Sequence, residues 1–181
     1  MVRSPFAHAR ITSIDTEAAR AATGVVAVIT GADIADEQGA LPNAWAVVSD
    51  QQAPVHPSMA VDHVAFAGEI VAMVIARTAA EANDAAELVD VDYEELAPAL
   101  ELRAAARDEV IAHPDLGTNV SAVWAYDSAE SGTGGDVEAA IAAARDGGIV
   151  IEKEIRQQRL IPAFMEPRAI VVDPTTEQMT V

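Results

Sequence analysis

The sequence has 181 residues with 29 acidic and 11 basic side chains, a net charge of −18, and a hydrophobic content of 51%. This composition is typical of a folded domain, and the negative charge disfavours binding to nucleic acid or to anionic membrane surfaces. The absence of cysteine excludes disulfides, thiolate nucleophiles and cysteine-ligated zinc or iron–sulfur sites within this sequence.

The N-terminal part predicts a strand, a short helix and a second strand. Residues 6–14 alternate between apolar and polar side chains like a strand, and residues 17–22 predict the helix. The β-branched run 24–30 predicts a buried strand. Residues 31–57 are rich in turn-forming residues and prolines, so we expect irregular structure or at most an edge strand there.

The middle of the sequence predicts strand, helix and strand. The apolar run 64–76 predicts one strand, with a bulge or a close backbone approach at Gly68. Thr78 stands three residues before a glutamate, the spacing of a capping box, and predicts a helix over residues 79–88. Residues 89–94 alternate between apolar and acidic side chains, which predicts a half-exposed strand. A helix packed on a sheet indicates an α+β fold.

The C-terminal part predicts a linker, a helix and further strands. Residues 98–117 mix alanine, charge and proline, as a linker does. Asp136 is a candidate N-cap for a helix that ends at a pair of glycines. Residues 149–158 alternate like a strand, and the last residues predict a hairpin.

Three patterns that suggest chemistry are better explained by structure. The glycine-rich SGTGGD loop lacks a preceding strand, and Asp136 would oppose a phosphate at the following helix. Asp90, Asp92 and Glu94 lie on one solvated strand face. The four histidines are spread along the chain: His8, His56, His63 and His113. None has a paired spacing such as i, i+4, so the sequence predicts surface or turn roles rather than a metal site.

A glutamate within an apolar stretch near the end of the sequence has two interpretations. Glu166 follows Ile161, Phe164 and Met165, and arginines lie near it in the sequence. A catalytic carboxylate would need a nucleophile or base that this sequence does not supply. We therefore predict that Glu166 is buried and paired with an arginine or with backbone amides. The residues assigned to this structural motif are Gln158, Arg159, Glu166 and Arg168.

Three stretches resemble the molybdenum hydroxylases, the family of xanthine dehydrogenase, aldehyde oxidase and the carbon monoxide dehydrogenase large chain. They are VRSPFAHARITSIDTEAARAATGVVAVITGADI (2–34), FAGEIVAMVIARTAAEANDAAELVDVDYEELAPAL (66–100) and GDVEAAIAAARDGGIVIEKEIRQQRLIPAFMEPRAIVV (135–172). The resemblance implies an α/β hammerhead domain over residues 1–100, without its first strand. It further implies a linker over residues 101–124 and a truncated N-terminal piece of the molybdopterin-binding domain over residues 125–181.

The same resemblance implies a fragment of a large subunit that hydroxylates aldehydes, heterocycles or carbon monoxide with a molybdopterin-type molybdenum cofactor. Iron–sulfur and FAD subunits or domains, and the rest of the large subunit, would be its partners. The family's glycine-rich cofactor loops and late catalytic glutamate have no counterparts here, so no catalytic, cofactor-binding or metal residue is assigned. We expect the chain alone to be inactive; the alternative is a structural or interaction module.

Two expectations concern the state of the protein. No apolar run approaches the roughly 20 residues that span a bilayer, and no apolar signal segment is evident, so we expect a cytoplasmic protein. An uncovered apolar face formed by Ile149, Ile151, Ile155 and Ile161 predicts a homo-oligomer. A free-standing ligand-binding domain would need a pocket of convergent polar groups, which the sequence does not reveal.

Overall fold

The computed structural model describes residues 1–42, 46–127, 135–158, 160, 163, 165–166, 170–174 and 179–180. The chain divides into two compact units, Met1–Tyr126 and Asp127–Val181. Residues 101–124, assigned to a linker from the sequence, belong to the first unit. None of the helices in the described ranges is long and apolar enough to cross a membrane.

The helices and strands confirm the predicted α+β class. In chain order they are β1 (Val2–Arg3), β2 (Ala9–Asp15), α1 (Glu17–Ala21), β3 (Val25–Thr30), β4 (His63–Val64), β5 (Ile70–Ala76), α2 (Ala79–Ala86), β6 (Asp90–Glu95), α3 (Leu102–Ala105), α4 (Val137–Gly147), β7 (Asp173–Pro174) and β8 (Met179–Thr180). One antiparallel sheet has the order β1-β5-β3, a second has the order β4-β2-β6, and β7 pairs with β8.

Strand β5 is the centre of the first unit because both of its faces are covered. One buried cluster joins the two helices to the first sheet: Ala19, Val28, Ala72, Val74, Ala85 and Val89. The other joins residues of both sheets with a residue of the loop before β4: Ala9, Ala60, Val64 and Val71. Half of these ten side chains are alanine, so the core consists of small groups in close contact.

The N-terminus of α2 has the predicted cap. The Thr78 hydroxyl oxygen accepts a hydrogen bond from the backbone N–H of Glu81 at 3.2 Å, and the hydroxyl donates to Glu81 Oε2 at 3.1 Å. The same glutamate side chain occupies the space beside Gly24, where a Cβ would overlap it. Gly24 also has a φ of 81°, so its backbone conformation favours glycine, whereas the end of the glutamate side chain could move aside.

Two predicted strands differ from the structure. The apolar run 64–76 is not one strand, because the chain turns between β4 and β5 and the two strands lie in different sheets. Gly68 allows this turn with a φ of 91°, and its N–H donates to the Ser4 carbonyl at 2.8 Å. Strand β3 is not fully buried, since it lies at a sheet edge and Val26 is 70% exposed.

The second unit confirms the helix and the hairpin but not the strand over residues 149–158. Asp136 caps α4 by accepting a hydrogen bond from the N–H of Ala139 at 3.0 Å, and β7 pairs antiparallel with β8. Residues 149–158 are in no strand. Their alternating pattern predicts a half-buried face, yet Ile149, Ile151 and Ile155 are 84–86% exposed. A strand requires a neighbouring strand, and none of the sheets in the described residues includes this segment.

Candidate functional site

The first unit contains a polar cavity of about 240 Å³. Residues 55–57, 61–69 and 113–115 supply most of its wall, together with the turn that follows β3. Its titratable side chains are three imidazoles and three carboxylates: His56, His63, His113, Asp62, Glu69 and Asp115. The cavity is the pocket of convergent polar groups that the sequence did not reveal.

Gln38 fixes the wall on the side of β3. Its Nε2 donates to the carbonyls of Met59 at 3.1 Å and Gly31 at 3.4 Å. Its Oε1 accepts from the Met59 N–H at 3.1 Å and from the Ser58 hydroxyl at 3.0 Å. A hydrogen bond from the Leu41 N–H to the His56 carbonyl at 2.7 Å continues this connection. One glutamine side chain therefore ties the turn after β3 to the loop that precedes β4.

Glu69 supplies the buried carboxylate of the cavity. It is 6% exposed, and its Oε2 accepts a hydrogen bond from the Ala65 N–H at 2.6 Å. This contact closes the turn between β4 and β5, where the chain passes from one sheet to the other. A buried carboxylate requires such hydrogen bonds, because it is otherwise poorly solvated.

Replacing Glu69 with alanine should lower the free energy of unfolding by about 1–3 kcal/mol. The substitution leaves the Ala65 N–H without its acceptor inside the protein, whereas the Glu69→Gln variant keeps a side-chain oxygen at the same position. Urea unfolding of the full chain measures both variants. Equal stabilities for the alanine variant and the unaltered chain would show that the turn does not depend on this carboxylate.

His63 and Asp62 form an ion pair at the mouth of the cavity. The distance from Nδ1 to Oδ1 is 2.7 Å, and the Asp62 carboxylate is 82% exposed. The hydrogen bond from His63 holds the pKa of Asp62 below its ordinary value, against the opposing effect of burial. A positive charge on His63 is therefore compensated locally.

His56 and His113 are in direct ring contact. Their centroids lie 5.3 Å apart and their planes meet at 88°, an edge-to-face arrangement. Burial lowers the pKa of His113, and the charges of His56, His63 and His8 lower it further, while Asp115 acts in the opposite direction. The other three histidines of the sequence thus act on the His113 ring.

His8 differs most from its predicted surface role. It is 7% exposed, and its Nδ1 lies 2.9 Å from the Ala97 carbonyl. Among the described residues its Nε2 is buried and has no hydrogen-bond partner. The gathering of the histidines was missed because it depends on sheet pairing and loop packing between distant segments. No local spacing in the sequence signals it.

The arrangement is suited to binding and proton exchange rather than to nucleophilic chemistry. Within the ranges that the structure describes, no three His, Asp or Glu side chains are placed to hold a metal ion. The cavity wall contains no serine, threonine or lysine that an imidazole would activate. What remains is a cluster of imidazole and carboxylate side chains that can donate and accept hydrogen bonds.

The residues of the predicted C-terminal motif do not form a site in the described structure. Glu166 is exposed, so the prediction that it is buried is wrong. The described residues around it, such as Met165, are exposed as well, and none of them covers the glutamate. Gln158 is also exposed and lies outside any helix or strand. Arg159 and Arg168 lie outside the described residues, so the predicted pairing stays a prediction.

The second unit has an open apolar groove along α4. Most of its wall consists of apolar side chains from one face of the helix and the segment that follows it: Val137, Ala140, Ile141, Ala144, Ile149 and Val150. Gly135 and Asp136 line its end at the helix N-terminus, where the Asp136 carboxylate caps α4. The groove is therefore a packing surface and not a polar binding site.

Comparisons with known proteins place these features in a family. The sequence pattern described as "Aldehyde oxidase and xanthine dehydrogenase, a/b hammerhead domain" matches residues 1–97. The solved structure of quinoline 2-oxidoreductase from Pseudomonas putida 86 aligns with a TM-score of 0.63 and 43% identity, covering 67% of this chain and 15% of that one. The two-sheet arrangement of the first unit is thus the predicted hammerhead.

Two curated relatives extend the comparison. A 6-hydroxypseudooxynicotine dehydrogenase complex subunit gamma from Paenarthrobacter nicotinovorans is 35% identical over 182 residues, which cover 96% of this chain and 21% of that protein. The carbon monoxide dehydrogenase large chain of Afipia carboxidovorans is 43% identical over 95 residues, covering 52% of this chain and 11% of that protein. The chain spans about a fifth or less of the length of these relatives.

Proposed function

The chain belongs to the aldehyde oxidase and xanthine dehydrogenase family, and we propose that it is the hammerhead domain and the following segment of a molybdenum hydroxylase large subunit. The observation that supports this proposal is the match over residues 1–97 to a domain that the first unit reproduces in three dimensions. The alignment over 96% of the chain with a dehydrogenase complex subunit extends the support to the second unit.

The proposed reaction of the whole enzyme is the hydroxylation of a nitrogen heterocycle. Water supplies the oxygen, so that R–H and H₂O give R–OH, two protons and two electrons; one proton comes from the C–H bond and the other from water. Support comes from the names of two relatives. Quinoline 2-oxidoreductase is 43% identical to this chain, and the 6-hydroxypseudooxynicotine dehydrogenase subunit aligns with 96% of it. Aldehydes and carbon monoxide are the other substrates of this family. Iron–sulfur and FAD subunits or domains are the proposed electron acceptors.

The described residues do not fit the molybdenum cofactor. One cavity is too small for a pterin with its phosphate and has three carboxylates in its wall, while the groove along α4 is apolar. A phosphorylated anion is best held by arginine or lysine side chains, which neither wall contains, and the Asp136 carboxylate at the N-terminus of α4 would repel it. We therefore derive no catalytic step from this chain. Its proposed contribution is packing, and by itself it is a structural module without activity.

Elemental analysis and dye-linked oxidation test this proposal. The native protein, purified with the subunits that accompany it, should contain molybdenum and oxidise quinoline or a hydroxylated pyridine with an artificial acceptor. The 181-residue chain produced alone should show neither property. A native protein without molybdenum would contradict the assignment to a hydroxylase. Stoichiometric molybdenum or turnover in the chain alone would contradict its structural role.

A further inference from the structure

Two irregular segments of the first unit meet at a pair of histidine rings. His56 belongs to the segment 51–58 and His113 to the segment 113–121, and their edge-to-face contact lies in the wall of the polar cavity. The backbone N–H of Gln52 donates to the Ser121 carbonyl at 2.8 Å, and the Ser121 hydroxyl donates to the Gln52 carbonyl. Side-chain and backbone contacts thus cross the boundary between the segments 51–58 and 113–121.

Each of the two segments is held firmly on its own side of this boundary. The first is fixed to the turn after β3 through Leu41 and Gln38, as described above. In the second, the Asn119 amide donates to the carbonyls of Ala105 at 3.0 Å and Val110 at 2.7 Å. Asp108 accepts from the Asn119 N–H at 2.7 Å. These hydrogen bonds lie within each side, so they can remain in place when the segments 51–58 and 113–121 move apart.

The charge on the two rings controls their contact. Neutral imidazoles pack edge to face without cost, whereas two imidazolium rings at 5.3 Å repel each other. The other titratable groups that face the two rings include both histidines and carboxylates. His8 and His63 add positive charge when protonated, although His63 is compensated by Asp62. Asp115 and Glu69 are the carboxylates in the same wall.

We propose that the His56–His113 pair is a pH-sensitive latch that joins the segments 51–58 and 113–121 when the rings are neutral. Protonation of both rings opens the boundary and widens the cavity. This device is independent of the proposed enzymatic function, since it requires only the first unit. In this proposal His56 and His113 form the latch, and His8 and His63 are neighbouring charges that act on it.

The direction of the pH effect follows from His113. Its pKa is lowered in the closed structure, first by burial and then by the neighbouring histidines, and rises toward its ordinary value of 6.5 when the rings separate. The open state therefore binds more protons. The closed state is fully favoured above pH 6.5, loses stability as the pH falls from there toward the lowered pKa, and changes no further below it.

Hydrogen exchange of the full chain tests the latch. Between about pH 8 and about pH 5 the intrinsic-rate-corrected exchange of the Gln52 amide should increase several-fold, because the open state binds more protons than the closed one. Peptides from α2 and β5 should show no such increase. Protection that stays constant across this range in both segments would overturn the proposal.

Ring substitutions separate the latch from general acid sensitivity. His56→Phe and His113→Phe each keep an aromatic ring but remove its charge. His113→Phe should lose the acid response, whereas His56→Phe should weaken it, because burial still lowers the pKa of His113. His63→Gln should retain the response, with a midpoint slightly nearer to 6.5 because one positive neighbour of His113 is removed. An undiminished response in both phenylalanine variants would overturn the proposal.

A side-chain titration needs no substitution and provides a second readout. Ring-proton NMR of the unaltered chain should show His56 and His113 titrating in coupled steps, as two interacting sites do. Independent single-step curves at ordinary pKa values would show that the rings do not interact, and would overturn the latch even where a variant fails to fold.

Discussion

Replacing Gly31 with alanine should lower the free energy of unfolding of the first unit by about 3 kcal/mol, the upper end of the range for overpacked cores. A Cβ at this position would overlap the carbonyl oxygen of Ala60 and approach the carbonyl oxygen of Met59 at 3.0 Å. Both obstacles are backbone atoms, so no side-chain rotation relieves the overlap. Differential scanning calorimetry or urea unfolding of the full chain measures the loss.

The effect should be large because the residues around Gly31 are tied on several sides. Ala60 is 1% exposed, and its N–H donates to the Ile70 carbonyl at the start of β5 at 2.8 Å. Met59 is held by both ends of the Gln38 amide. Moving residues 59–60 away from a new methyl group therefore disturbs β5 and the turn after β3 together.

Gly39 provides the matched control in the same turn region. A Cβ there meets no atom within 4 Å, and its φ is not in the left-handed region. Gly39→Ala should therefore leave the free energy of unfolding unchanged or raise it by up to about 1 kcal/mol, since alanine reduces the conformational freedom of the unfolded chain. Equal stability of the two variants would mean that the contact between Gly31 and Ala60 yields without cost.

The parts of the fold that the sequence predicts best are those with local signals. The cap at Thr78, the helix α4 with its cap at Asp136 and the half-exposed strand β6 each depend on residues within a few positions. The contact between Gly31 and Ala60 is different. Nothing near Gly31 in the sequence shows that a backbone 29 residues later approaches it.

Hydrophobic pattern alone failed where pairing decides the structure. The run 64–76 has the composition of one buried strand, but the turn at Gly68 sends its two ends into different sheets. The alternation over residues 149–158 has the period of a strand, yet the segment pairs with no described neighbour and its isoleucines are exposed. The burial predicted for Glu166 failed for the same reason, since burial requires a covering layer that a local sequence does not specify.

The candidate site was the least predictable feature because it is assembled from distant segments. His56 and His113 are 57 positions apart and meet through loops, the class of structure with the weakest sequence signal. The unpaired spacing of the histidines in the sequence carried no information about where the rings would lie. The family resemblance located the hammerhead and was silent about the cavity within it.

Val71 should be the next most sensitive position, with Val71→Ala lowering the free energy of unfolding by about 2 kcal/mol. Val71 is fully buried near the start of β5 and belongs to the cluster that joins the two sheets. Two of its neighbours there, Ala9 and Ala60, are alanines that have no side-chain torsion with which to fill the space. The cavity left by the substitution should therefore persist and add to the lost burial.

The control for this substitution is Val26→Ala, which removes the same atoms from a valine on the adjacent strand β3. It is 70% exposed at the sheet edge, so Val26→Ala should change the free energy of unfolding by less than about 0.5 kcal/mol. Urea unfolding of both variants, fitted with one common dependence of the free energy of unfolding on urea concentration, gives the comparison. Similar losses at the two positions would mean that strand propensity, rather than the packing of the two sheets against each other through β5, stabilises the first unit.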